Sequence, residues 1–324
     1  MARRNVCVTG ATGFVGRTLV NHLDEFGSFG ITAIVRNEIA GFPSSVKVVK
    51  VENIGADTDW SKVLTDCDCI VHTAARVHVM SETTANVLAE FRKVNVQGTI
   101  NLARQAARAG VKRFIFISSI KVNGEMTVLD KPFFADDVPD PVDPYGVSKM
   151  EAENGLLDIA AQNSIEVVII RPPLVYGPGV KANFLNLMSW IWRGIPLPLG
   201  MIYNKRSFVA LDNLVDFIVL CIDHPAAANQ KFLVSDGEDL STTDLIRRIG
   251  DALGKPARLL PVPVLLLTIG AAFLGKVDFA QRLCCTLQVD ISKAKDLLGW
   301  SPPVNVDKGL YRVAVNFLEN YAKG

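Results

Sequence analysis

Apolar positions in the first half of the chain come in short runs. NVCVTG (5–10), ITAIVR (31–36), VKVVKV (46–51), CIVHTA (69–74), RFIFISS (113–119) and EVVIIRP (166–172) are apolar at most positions. A strand with one face in water alternates, whereas a strand covered on both faces reads as a near-continuous apolar run. Between several of these runs lie VGRTLVNHLDEF and VQGTINLARQAARAG, where apolar residues recur at helical spacing. The alternation predicts right-handed βαβ crossovers and a doubly wound α/β fold, a parallel sheet with helices on both faces.

After about residue 176 the rhythm changes. YGPGVKANFLNLMSWIWRGIPLPLG is punctuated by proline and glycine, and the tail from 225 onward is mostly helical in pattern. The expected organisation is a nucleotide domain over 1–176 with a returning segment at 206–224. Segments 177–205 and 225–324 then form a smaller, discontinuous, mixed α/β substrate domain. Ligands of such sheets bind beyond the carboxyl ends of the strands, where the two parts meet.

One stretch breaks the pattern. LLPVPVLLLTIGAAFLG (259–275) has no charged residue and two prolines, and it falls short of the roughly 20 apolar residues that span a bilayer. It predicts a buried helix beginning after Pro263, with membrane-surface contact as the alternative; no integral span is expected.

The 324 residues are 49% hydrophobic and 21% charged, the composition of a globular chain. A net charge of +1, with no basic run longer than two, argues against a large electrostatic footprint for nucleic acid or an anionic membrane. The six cysteines form no Cys-x-x-Cys pair and the four histidines are dispersed. Neither a disulfide framework nor a metal site is therefore expected, and a reducing compartment is the default. A strand begins within five residues of the start, which leaves no room for a secretory signal and suggests a cytoplasmic protein.

TGATGFVG places Gly10, Gly13 and Gly16 between the first strand and the first helix. Gly10 permits the tight turn, Gly13 lets the backbone approach a diphosphate, and Gly16 allows helix and strand to pack closely. The helix start offers free N–H groups and a partial positive charge to phosphate. This GxxGxxG spacing only partly matches the GxGxxG fingerprint. About 20 residues further on, an acidic side chain would bind the ribose 2′-hydroxyl of NAD, but the chain has Arg36, which suits a 2′-phosphate. Arg36 therefore favours NADP(H), with NAD left open.

DPYGVSK places Tyr145 and Lys149 four residues apart, one turn apart on a helix face. A phenol with a free pKa near 10 can exchange a proton with a substrate oxygen if a nearby ammonium favours its phenolate. Lys149 is expected to play that part and to hold a cofactor ribose hydroxyl. Ser118 and Ser119 end the strand before this helix, at the sheet edge where a site is expected.

With these motifs in place, the chain resembles the extended short-chain dehydrogenase/reductase family nearly end to end. Its nucleotide-sugar branch is nearest, around the UDP-glucose 4-epimerases and related UDP-4-keto-sugar reductases. TGATGFVG matches the family's glycine motif, VHTAA (71–75) its strand-four element, and KVNVQGTINL (93–102) the next helix, with Asn95 and Gly98 in register. YGVSK supplies Tyr145 and Lys149, and RPPLVYGPG (171–179) resembles the segment beyond strand six. RSFVALDNLVD (206–216) and VDISKAKDLLGWSPP (289–303) resemble the nucleotide-sugar region and the closing motif.

The resemblance implies a Rossmann nucleotide domain with Ser119, Tyr145 and Lys149 as catalytic residues. It implies a cofactor held by Gly10, Thr12, Gly13, Phe14, Val15, Gly16, Arg36, Asn53, Ile54, Thr73, Ala74, Ala75 and Pro172, together with Tyr145 and Lys149. A UDP-sugar would be held by Ser119, Lys121, Asn183, Arg206 and Arg282, with Arg206 on phosphate. A homodimer through a helix pair is common in the family, though no residue here demonstrates one. The implied chemistry is hydride transfer at carbon 4 of a UDP-hexose or UDP-N-acetylhexosamine.

Ile120-Lys121 stands where the family's dehydratases carry Asp-Glu, which disfavours 4,6-dehydration. Because Arg36 suits an exchangeable NADPH, the leading expectation is reduction of a UDP-4-keto-6-deoxy sugar for surface polysaccharide synthesis. A 4-epimerase with tightly held NAD is the alternative, and a non-catalytic dinucleotide sensor a third. His72, His78, Trp190 and Trp192 have candidate roles near the sugar, but each fits a structural position as well.

Overall fold

The computed structural model describes residues 4–37, 41–77, 86–181, 183–273, 275 and 277–321, with backbone only at 277–279. His78 lies outside the described residues.

The six expected strands are all present. They are β1 (Arg4–Thr9), β2 (Phe29–Val35), β3 (Lys47–Lys50), β4 (Cys69–His72), β5 (Arg113–Ile117) and β6 (Glu166–Arg171). Two more, β7 (Leu174–Tyr176) and β8 (Arg206–Ala210), precede the short β9 (Lys231–Leu233) and β10 (Asp239–Leu240). Seven strands form one sheet in the order β3-β2-β1-β4-β5-β6-β9, and every pairing in it is parallel. β7, β8 and β10 form a second sheet, with β8 parallel to β7 and antiparallel to β10.

Both faces of the large sheet are covered, which accounts for the continuous apolar runs. Along β5, Ile115 and Ile117 pack to one side while Phe114 and Phe116 pack to the other. The first side meets α1 (Phe14–Phe26), α7 (Leu211–Asp223) and α11 (Ser292–Leu298). The second meets α2 (Ser61–Leu64), α4 (Thr99–Arg108) and α5 (Pro144–Gln162). Ahead of α4 run the short α3 (Val87–Phe91) and a π-helical turn, Arg92–Gly98.

A separate apolar cluster builds the smaller lobe. It joins β7 and β8 to α6 (Asn183–Trp192), α8 (Thr242–Ala252) and α12 (Val306–Asn320). The chain crosses between lobes more than once. α7 returns to the large sheet and so does β9, although β9 lies within 225–324, while β7 (within 1–176) and β8 (within 206–224) pair in the smaller sheet. The three residues of β9 pair with β6 at the sheet edge.

The helix expected after Pro263 is α9 (Val264–Phe273), followed by α10 (Val277–Cys284). The start is as expected, but the burial is not: α9 contains no buried residue. Apolar composition says that a helix avoids water, not which surface covers it. No helix among the described residues is long and apolar enough to cross a membrane.

Candidate active site

The strand order reverses between β1 and β4, and the crevice beyond their carboxyl ends collects most of the expected site residues. The turn after β1 holds Gly10 at φ +67°, where a Cβ would stand 2.8 Å from the Ala74 nitrogen. A Cβ on Gly16 would come within 2.3 Å of the Gly10 oxygen. The glycines thus let this turn, α1 and the loop after β4 approach closely. Gly13 caps α1 with no side-chain hydrogen bond, so the first-turn N–H groups face the crevice mouth without a side-chain acceptor. Thr12 is exposed, while Phe14 and Val15 are half-buried against the core. A helix start without a cap and a backbone too close for any Cβ fit the diphosphate of a dinucleotide.

Thr73, Ala74 and Ala75 follow β4. The Thr73 hydroxyl donates to the Thr9 carbonyl at 2.7 Å, and the Ala74 N–H reaches the Thr9 hydroxyl at 3.4 Å. His72 is buried below them, between the hydroxyls of Thr9 (2.7 Å) and Thr99 (3.0 Å). Burial and the nearby Lys149 charge push its pKa down to about 3. His72 is therefore a neutral structural residue that does not reach the crevice.

Asn53 and Ile54 follow β3. The exposed Asn53 side chain accepts from the Thr58 hydroxyl at 2.8 Å, which closes its own loop, and Ile54 packs against the core. Arg36 directly follows β2. It is exposed and, among the described residues, has no hydrogen-bond or ion-pair partner.

The two serines after β5 separate cleanly. Ser118 is buried and donates to Glu153 at 2.5 Å. Ser119 is half-buried in extended backbone, and its hydroxyl accepts from the Lys121 N–H at 3.3 Å. The Pro172 carbonyl, after β6, accepts from the Ile120 N–H at 3.0 Å and ties this turn to the next strand end.

α5 supplies Tyr145 and Lys149. Asp143 caps it, accepting from the Gly146 N–H at 2.6 Å, with Pro144 in the first turn. The Asp143-Pro144 pair is a legible helix-start signal, but the sequence reading assigned Asp143 no role. Asp143 also takes the Lys121 ammonium, which lies 3.6 Å from Glu125 as well. Lys121 is thus committed to two carboxylates.

Lys149 does not perturb the phenol as expected. Its ammonium donates to the Ile117 carbonyl at 2.7 Å and lies 3.9 Å over the Phe116 ring. Burial lowers its pKa to about 7, partly opposed by Glu153. Burial and the Asp143 charge push Tyr145 up to about 12. Spacing placed the two residues on one face, but it did not fix where the lysine's flexible stem would end.

Two buried arrangements beneath the crevice were not assigned from sequence. Arg171 and Glu153 pair at 2.5 Å, 1% and 2% exposed, and Arg171 also donates to the Asn123 side chain at 3.0 Å. In the π-helical turn, the Asn95 amide accepts from the Arg76 N–H at 2.8 Å. It donates to the Arg76 carbonyl and to the Ser148 hydroxyl, both at 3.0 Å. Ser148 in turn donates to the Tyr145 carbonyl at 2.7 Å. π-turns of this kind recur at functional sites, but nothing in the local sequence announces one.

Of the expected substrate residues, Ser119 and Lys121 follow β5, whereas Asn183, Arg206 and Arg282 lie on α6, β8 and α10. Arg206 opens β8, and its guanidinium donates to the carbonyls of Arg282 (2.8 Å) and Cys285 (3.0 Å) at the end of α10. Arg282 is exposed on α10, and Asn183 is exposed at the start of α6. Among the described residues there is no cluster able to hold a metal ion, and all six cysteines are free.

Residues 6–235 match the NAD dependent epimerase/dehydratase family. The chain is 49% identical over 317 residues to a UDP-glucose 4-epimerase of Vibrio cholerae, covering 98% of this chain and 96% of that protein. It is 27% identical over 323 residues to an N-acetyl-alpha-D-glucosaminyl-diphospho-ditrans,octacis-undecaprenol 4-epimerase of Escherichia coli O157:H7, covering 95% and 93%. A UDP-glucuronic acid 4-epimerase of Bacillus cereus, solved in complex with NAD, shares the fold with a TM-score of 0.80 at 24% identity, over 99% and 98% of the chains. A parallel seven-stranded sheet with a glycine turn at its switch point, a smaller lobe facing it, and a match over more than half the length lead to one assignment: the chain is an enzyme of the NAD dependent epimerase/dehydratase family, within the extended short-chain dehydrogenase/reductases.

Proposed function

We propose that this enzyme inverts carbon 4 of a UDP-hexose, using an NAD that it keeps between turnovers. The observation that carries this reading is the 49% identity to a UDP-glucose 4-epimerase along 98% of the chain. It shifts the balance away from the 4-ketoreductase that Arg36 alone favoured. When bound, the dinucleotide supplies an acceptor and donor of hydride.

The chain's residues supply the rest. Gly10, Gly13 and the start of α1 hold the diphosphate. Lys149 uses one of its donors on Ile117 and keeps others for a ribose hydroxyl. Tyr145 moves the proton on the sugar's carbon-4 oxygen, and Ser119, the half-buried serine after β5, holds that oxygen. Arg206, already oriented by two carbonyls, meets the UDP diphosphate. Six free cysteines, four of them buried, suit a reducing, cytoplasmic compartment.

A second reading keeps one observation in its favour. Arg36 is exposed where an NAD enzyme of this fold carries an acid, which suits NADPH and single-turn reduction of a UDP-4-keto sugar. One experiment separates the two. Purified enzyme is given UDP-glucose and, separately, UDP-N-acetylglucosamine with no added cofactor, and the nucleotide released on denaturation is identified. Epimerised product with NAD released supports the proposal. Dependence on added NADPH, with turnover only of the 4-keto sugar, replaces it with the reductase.

A further inference from the structure

α9 presents an apolar face to solvent. Leu265 (70% exposed), Leu266 (57%), Ile269 (45%) and Phe273 (88%) fall within an arc of about 100° on the helix. Trp190, Ile195, Tyr203 and Leu260 are exposed on the segments beside it. These segments are joined: Leu197 and Leu259 form a parallel bridge, Lys255 lies 3.7 Å over the Trp192 ring, and Asn204 donates to the carbonyls of Leu283 and Cys285 at the end of α10. Large exposed apolar side chains gathered in this number on one helix and its neighbouring segments mark an interaction site.

Charge identifies the occupant. Residues 181–206 carry four cations and no acid, of which Lys205 pairs with Asp130 and Arg206 is turned onto two carbonyls, and residues 252–289 carry four cations and one acid, Asp278. The whole chain carries only +1, so the rest of the molecule is net negative. The overall charge argued against an anionic membrane, and it concealed this separation. A second copy is a poor occupant, because a symmetric contact through α9 would set two net positive surfaces against each other. An anionic surface with an apolar layer beneath satisfies both the charge and the exposed side chains. The exposed tryptophan and tyrosine suit the boundary between the two.

We propose that the α9 lobe docks this enzyme on an anionic phospholipid bilayer, with α9 in the plane of the surface and Lys255, Arg258 and Arg282 over the headgroups. Binding of this kind is peripheral and reversible, and weakens as salt rises. It stands apart from the reading of the reaction.

The test is co-sedimentation of the full chain with phosphatidylcholine vesicles, with and without phosphatidylglycerol. The expected result is retention on the phosphatidylglycerol vesicles only, with release by salt at about 0.5 M. Leu265→Glu combined with Phe273→Glu should lower retention by at least about tenfold while leaving thermal unfolding and turnover of soluble UDP-glucose unchanged. If that variant fails to fold, Lys255→Ser with Arg258→Ser should show the same loss. No retention on either vesicle overturns the proposal, as does equal retention on both. So does a dimer in solution that the α9 variant turns into a monomer without any vesicle binding by the parent.

Discussion

The Lys149 ammonium donates to the Ile117 carbonyl at 2.7 Å, so the lysine one helical turn from Tyr145 is anchored to the end of β5 rather than to the phenol. Its low pKa, about 7, reflects the cost of burying the charge. An ammonium costs the fold most below that value, and between about 7 and 10 the unfolded chain binds more protons, so stability rises with pH. Lys149→Met should therefore be inactive yet more stable than the parent at pH 7, by a few kcal/mol. The gap should narrow by roughly 1.4 kcal/mol per pH unit up to pH 9. Urea unfolding at three pH values measures it; equal stabilities at pH 7 would mean that the amine is not desolvated.

His72 should govern acid sensitivity. Its folded pKa of about 3 lies below the unfolded value near 6.5, so its neutral form contributes stability that is lost as pH falls below 6.5. At pH 5 the loss is about 2 kcal/mol. His72→Gln should lose that much less than the parent between pH 7 and pH 5. The same slope in both proteins would place the acid sensitivity elsewhere.

The Arg171–Glu153 pair is almost fully buried. Arg171→Met leaves a carboxylate without its partner and should destabilise by about 3–5 kcal/mol. Adding Glu153→Gln should recover part of that loss, because the stranded charge disappears. A double variant as unstable as the sum of the two singles would show that the residues do not act as a pair.

The serines should differ sharply in kinetics. Ser119→Ala is expected to lower kcat by on the order of 10²–10³, and Tyr145→Phe by about 10²–10⁴, both with unchanged folding. Ser118→Ala should instead lower stability and leave kcat near the parent value, since its hydroxyl serves Glu153. Reversed results would exchange the roles of the two residues.

Arg36→Asp tests the cofactor directly. If NAD is the resident cofactor, the substitution should leave it bound and raise its affinity slightly, because an acid can bond the ribose hydroxyl. A selective tenfold loss of NADPH binding in Arg36→Ala, which adds no negative charge, would assign Arg36 to a 2′-phosphate.

How legible was this structure? β1, β2, β4, β5 and β6 were plain, because burial on both faces leaves near-continuous apolar runs, and β3, mostly exposed at the sheet edge, was legible from its valines alone. The glycine turn was plain too, since Gly10 and Gly16 have no room for a side chain. β9 escaped notice because three residues at a sheet edge carry no period. Ser118 and Ser119 could not be told apart, because a neighbour's side chain, Glu153, decides which one is buried. Glu153 and Arg171 were given no role from the sequence, and only the folded chain brings them together. α9 was misjudged because apolar composition is silent about what lies against it.

Asn95 has a consequence for the reaction's geometry. One planar amide spans from the loop after β4 to the hydroxyl that holds the start of Tyr145's helix. It acts as a gauge block, setting the gap between the loop after β4 and the start of α5 by the length of a single side chain. Glutamine would be one methylene too long, and aspartate would lose both donors. In the proposed reaction hydride and proton arrive at neighbouring atoms of one sugar, and the tolerance for that alignment is set by a residue that touches neither.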